Sequence, residues 1–254
     1  MDDKIKSIIE RSGADSCEVF LTGHGNFRVP LATIAPYKGT RQGVKPYHWE
    51  TVSRRLIEEW GAKEYCGIEA DDAIATRATE LFPEVITASR DKDLRQVPGY
   101  HYSWACGESQ PEKPTYLVDY LGKIHYEKDK WGGYKLHGHG LRFFYAQLLV
   151  GDSVDNIKGC PKVGALKAVT TLGHLISEKD LFEACEYLYR GVYGDDWEGK
   201  LVENARLLYL IRDRSWVEEE PQDNHEIKCY IKKLWERPNA NSGDDLSATQ
   251  DEDR

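Results

Sequence analysis

The sequence predicts an α/β fold in which a mainly parallel sheet with flanking helices is followed by a helical C-terminal domain. Two observations carry this. Up to about residue 90, short apolar runs alternate with stretches of helical spacing, the order of elements that builds parallel sheets. From Gly140 onward only helical spacing remains. The chain divides accordingly into an α/β part, 1–138, a helical part, 139–238, and an acidic tail, 239–254, with the composition of a disordered segment.

Taken in order, residues 1–12 read as a helix with Ile5, Ile8 and Ile9 on one face. A short apolar strand follows at 18–22. Residues 23–47 show no period, and helical spacing returns from Trp49 to Trp60, where Gly61 provides a stop. Cys66 lies near a short strand, Asp71–Leu81 reads as a helix, and Val85, Ile86 and Ala88 suit a buried strand. Residues 100–127 are rich in aromatic and β-branched side chains, and Gly122 predicts the turn of a hairpin. Leu141, Phe144, Tyr145, Leu148 and Leu149 mark an amphipathic helix. A loop from Gly159 to Gly164 separates it from a second helix starting near Ala165, and two more follow at about 178–190 and 197–213.

Composition narrows the function class. A chain of 254 residues, 40% hydrophobic and 30% charged, can bury a full core. No apolar run approaches the ~18 residues that span a bilayer, and Met1–Ser12 lacks the apolar core of a signal peptide, so a cytoplasmic protein without membrane partners is expected. The six cysteines form no C-x-x-C pair, which argues against a zinc ribbon or redox motif and for small buried residues. His137 and His139 read as part of a polar Gly-rich turn entering a helix. The net charge of −9 is unevenly placed. Once the tail and seven clustered acids are set aside, the remaining body is mildly basic, the distribution that matters for binding a polyanion.

Those seven acids are Glu69, Asp71 and Asp72, then Asp91 and Asp93, then Asp152 and Asp155. Each group stands at the end of an apolar element. Ligands of α/β sheets sit at the carboxyl ends of strands, where Asp91 and Asp93 fall. A lone acid at a helix start is a cap, but seven brought together would repel without counter-ions. Hard divalent cations such as Mg²⁺ take such oxygen ligands, and two ions roughly 4 Å apart can activate water against a phosphodiester. No Ser-His-Asp, Cys-His or P-loop pattern offers a competing chemistry.

These blocks resemble the 5′-nuclease family of flap endonucleases, polymerase-associated 5′–3′ exonucleases and their phage relatives. Glu69-Ala-Asp71-Asp72 matches its E-A-D-D block, and Asp91-Lys-Asp93-Leu94 with Gln96 matches D-K-D-L-x-Q. Gly151-Asp152-x-x-Asp155-Asn156-Ile157, with Gly159 and Gly164, matches the third block. The resemblance spans about residues 1–175 and implies a PIN-like sheet with a helix–hairpin–helix-type module. It also implies a DNA substrate with 5′ ends, flaps or nicks, an RNA primer on DNA being a further candidate. Glu69, Asp71, Asp91, Asp93, Asp152 and Asp155 would hold two Mg²⁺ ions, with Mn²⁺ as a substitute, and Asp72 would act directly or through water. Tyr37-Lys38-Gly-Thr-Arg41 matches the family's Y-K-x-x-R block: Lys38 and Arg41 would act on the scissile phosphate, and Tyr37 would stack on a base. Arg28, Lys158, Lys162, Gly164 and Lys167 would grip DNA, and the hairpin would hold K⁺.

The chain departs from the family in two respects: an aspartate that members usually carry just after the second strand is replaced in Leu21-Thr22-Gly23-His24-Gly25, and the first strand has no counterpart. Members begin with a central strand ending in a metal-bridging aspartate, and nothing before Val19 matches it. Three expectations stay open: a start upstream of Met1, a separate segment or polymerase-linked chain that completes the sheet, or a DNA-binding protein that has lost catalysis.

Overall fold

Asp2–Ser12 form α1, closed by Gly13 in the left-handed region (φ 82°), whose N–H donates to the carbonyls of Ile9 and Glu10. The structure, a computed structural model, describes residues 1–41, 43 and 45–212. The acidic tail, Cys229 and the end of the expected helical part lie outside the described residues. β1 (Phe20–Thr22) is followed by a four-residue helix, α2 (Arg28–Leu31), too short to leave a periodic signal. α3 (Trp49–Trp60) ends at Gly61 (φ 61°) as its sequence predicts. β2 (Lys63–Tyr65), α4 (Ala70–Leu81) and β3 (Ile86–Ala88) complete the strand–helix–strand alternation.

Parallel pairing joins β1 with β2, within the predicted alternation, and β3 with β4 (Gly99–Ser103), a strand beyond it. The pairs belong to separate sheets. β1–β2 stands apart from β3–β4–β5, with β5 (Lys113–Val118) antiparallel to β4. α4 packs on β1, β2 and β3 and so spans the two.

The hairpin expected around Gly122 is not formed. β5 pairs back onto β4, while β6 (Lys123–Lys128) pairs with β7 (Tyr134–His139). Gly122 instead marks a close backbone approach at φ 69°, where a Cβ would lie 1.9 Å from the His139 carbonyl oxygen. His137 and His139 accordingly lie on a strand and not in a turn.

α5 (Gly140–Val150) is buried over almost its full length, and α6 (Ala165–Leu172), α7 (Glu178–Tyr193) and α8 (Trp197–Leu208) pack with it around the larger core. A smaller cluster joins Ala75 and Ala78 of α4 to Leu94 and Val97. Leu210 enters that second cluster, and Arg212 donates to the Gln96 carbonyl, so the chain after α8 returns to the α/β part across the expected boundary at 138/139. Cys160 and Cys185 are buried free thiols, but Cys17, Cys66 and Cys106 are exposed, against expectation. Among the described residues no helix is long and apolar enough to cross a membrane.

Candidate metal centre

The N-terminus of α4 is built by its own acids. Glu69 and Asp72 form a reciprocal capping box, the Glu69 N–H donating to Asp72 Oδ2 at 3.2 Å. Asp71 lies in the same first turn. Beyond β3, the Ser89 hydroxyl accepts from the Asp91 N–H (3.0 Å), and Asp91 Oδ1 accepts from the Asp93 N–H (2.8 Å), where a 3₁₀ turn begins. The third group follows α5. Asp152 and Ile157 exchange both backbone hydrogen bonds (2.9 and 2.8 Å), closing a tight loop that carries Asp155. Gly151 (φ 77°) and Gly159 (φ 62°) allow it, because a Cβ on either would strike the other's strand of backbone within 2.4 Å.

Six of the seven predicted acids, Glu69, Asp71, Asp91, Asp93, Asp152 and Asp155, line one cleft of about 450 Å³. Their mutual repulsion registers at Asp71. Burial first, then the charges of Asp91 and Glu69, push its carboxyl up to about 7. Burial likewise raises Asp93, partly offset by Lys92. Arg28, Lys38, Arg41, Lys45 and Lys92 line the same cleft, and Arg28 lies 3.7 Å from Glu69. Lys38 pairs with Glu69, Arg41 with Asp155, and Lys92 with Asp152 and Asp93. Six carboxylates outnumber the five cations of the cleft lining, and they are oxygen donors of the kind that fits hard divalent ions.

The Y-K-x-x-R loop is docked on this cleft. The Lys38 N–H (φ 54°) donates to the Asp155 carbonyl at 2.9 Å, and Asn156 Nδ2 donates to the Pro36 carbonyl at 2.9 Å. Tyr37 differs from its expected role as a base-stacking ring. It is buried, and its hydroxyl donates toward Glu69 Oε2 (2.8 Å) and Asp155 Oδ2 (3.2 Å), tying two of the acidic groups together. Burial first, and then the charges of Glu69 and Asp155, hold its hydroxyl protonated far above the usual range.

Asp72 and Arg28 also differ from expectation, and for the same reason. Asp72 is fully buried and absent from the cleft lining. Arg28 meets it in a bidentate pair (2.6 and 2.8 Å) and donates further to the carbonyls of Leu207 (3.0 Å) and Tyr209 (2.8 Å). Desolvation of the guanidinium is outweighed by Asp72, so Arg28 stays charged. The Ile211 N–H donates to Asp72 Oδ1 at 3.0 Å. This pair is a buried fastening between α2, α4 and the segment after α8; Asp72 lies outside the cleft lining, whereas Arg28 reaches it.

Two participants had weaker sequence signals. Lys92 lies between the two aspartates of its block yet points at Asp152, 60 residues away. Gln147 donates to Asp93 Oδ1 at 2.6 Å and accepts from Gln96 at 2.8 Å. A single amide in the apolar run of α5 was the available clue. Lys158, Lys162, Gly164 and Lys167 are exposed along the loop and first turns leading into α6, apart from the cleft lining.

No family model matches the chain. A curated 5′–3′ exonuclease of Buchnera aphidicola subsp. Schizaphis graminum is 26% identical over 185 residues, which cover 66% of this chain and 55% of the relative. The chain thus spans about half the length of that relative. Among solved structures, bacteriophage T5 D15 protein co-crystallised with metal ions overlaps with a TM-score of 0.41 at 15% identity, covering 82% of this chain and 90% of that one. A T5 D15 flap endonuclease complex with DNA and metal ions gives 0.42 at 15%, covering 81% and 89%. The acidic blocks that first suggested the likeness meet in one cleft of an α/β fold, in a chain that is similar in sequence to a 5′–3′ exonuclease.

Proposed function

We propose that this chain is a divalent-metal-dependent nuclease that hydrolyses DNA phosphodiesters at 5′ ends, flaps or nicks, in the cytoplasm of a bacterial or phage-infected cell. The observation that carries the reading is the convergence of six carboxylates from three distant segments in one cleft with Lys38, Arg41 and Lys92. In this reading Glu69, Asp71, Asp91 and Asp93 hold one Mg²⁺ and Asp152 and Asp155 a second, with Mn²⁺ as a substitute. Bound ions of this kind supply an activated water and neutralise charge on the scissile phosphate.

The remaining roles belong to the protein's own side chains. Lys38 and Arg41, now paired with Glu69 and Asp155, sit where they can turn to a phosphate once those acids are engaged. Gln147 and the Ser89 hydroxyl fix the Asp91–Asp93 loop. Tyr37 holds Glu69 and Asp155 in register, and Asp72 with Arg28 positions α4. The exposed Lys158, Lys162 and Lys167, with the amide of Gly164, grip duplex phosphates without reading sequence, with K⁺ at the hairpin.

The reading includes a completing segment. Among the described residues β1 pairs only with β2 and β3 only with β4 within its parallel run, while α4 covers both. An extended segment added there, in cis or from a partner polymerase, would join the two sheets beside the cleft.

The test is cleavage of 5′-labelled flap and nicked duplexes in Mg²⁺ or Mn²⁺, beside an Asp91→Ala, Asp93→Ala double variant. Metal-dependent cutting should fall at least about a hundredfold in the variant, more than outer-shell changes cost. A chain that binds flaps but never cuts, even with the N-terminal fragment of an exonuclease relative supplied, would instead be a structure-specific DNA-binding protein. Cutting retained by the variant would overturn the site.

A further inference from the structure

Outside the carboxylate cleft, a second group of ligand-bearing side chains gathers where β1 and β2 end. The parallel register that sets Thr22 beside Tyr65 continues past both strands. The Gly23 N–H donates to the Tyr65 carbonyl (2.8 Å), and the Gly67 N–H donates to the His24 carbonyl (2.9 Å). This pairing brings His24, Glu64 and Cys66 together, with one ligand atom from each inside a span of 4.8 Å. Cys66 Sγ and His24 Nδ1 are 3.1 Å apart, and Cys66 is a free thiol.

Gly23 lies beneath the group. A Cβ there would come within 2.7 Å of both Cys66 Sγ and Glu64 Oε1, so glycine leaves room for these two side chains to approach each other. Glu64 forms no ion pair among the described residues, whereas nearby Glu18 is engaged by Arg77 and Lys63. The carboxylate therefore lies close to a thiol and an imidazole with no cationic partner among the described residues.

We propose that His24, Glu64 and Cys66 form a binding site for one zinc-class divalent cation, separate from the all-oxygen cleft. The donor set decides the class of ion. A thiolate, an imidazole and a carboxylate suit zinc, usually with water at a fourth position, whereas the six carboxylates suit harder ions. The ion would bind β2 to the loop after β1. Thr22, the last residue of β1, and Gly23 of that loop also line the carboxylate cleft, so occupancy stiffens one wall of it.

Cobalt(II) titrated into the whole chain tests this directly. A thiolate ligand gives a sulfur-to-cobalt charge-transfer band in the near ultraviolet, which oxygen-only sites lack. One equivalent should produce the band, Zn²⁺ should bleach it, and excess Mg²⁺ should leave it. Cys66→Ser should abolish it, while Cys17→Ser and Cys106→Ser keep it. His24→Ala and Glu64→Gln should each weaken Co²⁺ binding at least about tenfold, the lower end of outer-shell effects. All three ligands are exposed, and circular dichroism of each variant checks that the fold is retained. No band, or a band that survives Cys66→Ser, overturns the proposal. Either result leaves the nuclease reading intact, since ions held by carboxylates alone do not produce this signal.

Discussion

The helical half and the α/β half of this molecule bury their side chains to different depths. From α5 to α8, Phe144, Tyr145, Leu148, Leu149, Leu172, Leu181, Tyr189 and Leu201 are each at most 1% exposed. In the α/β half, α1 and α3 bury no residue completely, although both carry an apolar face. The strands there fall into three separate sheets among the described residues. The acidic cleft lies on the seam between the halves, and its ligand groups inherit the difference. Asp152 and Asp155 follow a helix locked in the deep core. Glu69 and Asp71 ride on α4, which depends on fewer apolar contacts and on the Arg28–Asp72 pair.

That dependence gives the largest expected effect. Arg28→Ala leaves Asp72 buried and unpaired, and should destabilise the chain by about 3–5 kcal/mol in urea unfolding. Replacing both partners, Arg28→Met with Asp72→Leu, should recover most of the loss, because the cost is chiefly that of the orphaned charge. A loss below about 1 kcal/mol for Arg28→Ala would mean that α4 is held by something other than this pair.

A matched pair of apolar truncations tests the comparison itself. Leu148→Ala, in the deep core, should cost about 2–5 kcal/mol. Ile8→Ala, on the half-buried face of α1, should cost about 1 kcal/mol or less. Equal losses would show that burial in the two halves is energetically the same. If Ile8→Ala becomes costly only when a completing segment is bound, the shallow packing belongs to an open site in the sheet.

The same contrast explains what the sequence could disclose. Elements fixed by local chemistry were legible: α3 with its terminal Gly61, α4 opening on its own acids, α5 as an apolar run. The acidic blocks were legible because each clusters within a few residues. Roles fixed across long separations were not. Arg28 reads as a basic residue open to phosphate until Asp72, 44 positions away, is found to neutralise it. Tyr37 reads as a stacking ring until its hydroxyl is found between Glu69 and Asp155. Strand pairing failed likewise around Gly122, since alternation marks a strand without marking its partner.

The smallest effect concerns the protons of the cleft. Asp71 has its pKa raised from 3.8 to about 7, first by burial and then by Asp91 and Glu69. Through that window the folded chain holds a proton that the unfolded chain has released. Without divalent ions, the stability linked to Asp71 is full below 3.8 and is lost as pH rises through about 7. The slope is at most about 1.4 kcal/mol per pH unit for this one proton. Asp93, raised by burial, acts in the same direction. A bound cation requires the carboxylates deprotonated, so its stabilisation grows over the same range. Thermal unfolding with and without Mg²⁺ should therefore diverge as pH rises from about 5 to 7, and Asp71→Asn should flatten the metal-free curve. The helical half supplies the control: Leu148→Ala should shift both curves down by the same amount without changing how they diverge. Curves that stay parallel in the unsubstituted chain would mean that Asp71 is not a ligand, and that the cation, if bound, is held by the acids on the helical side of the seam.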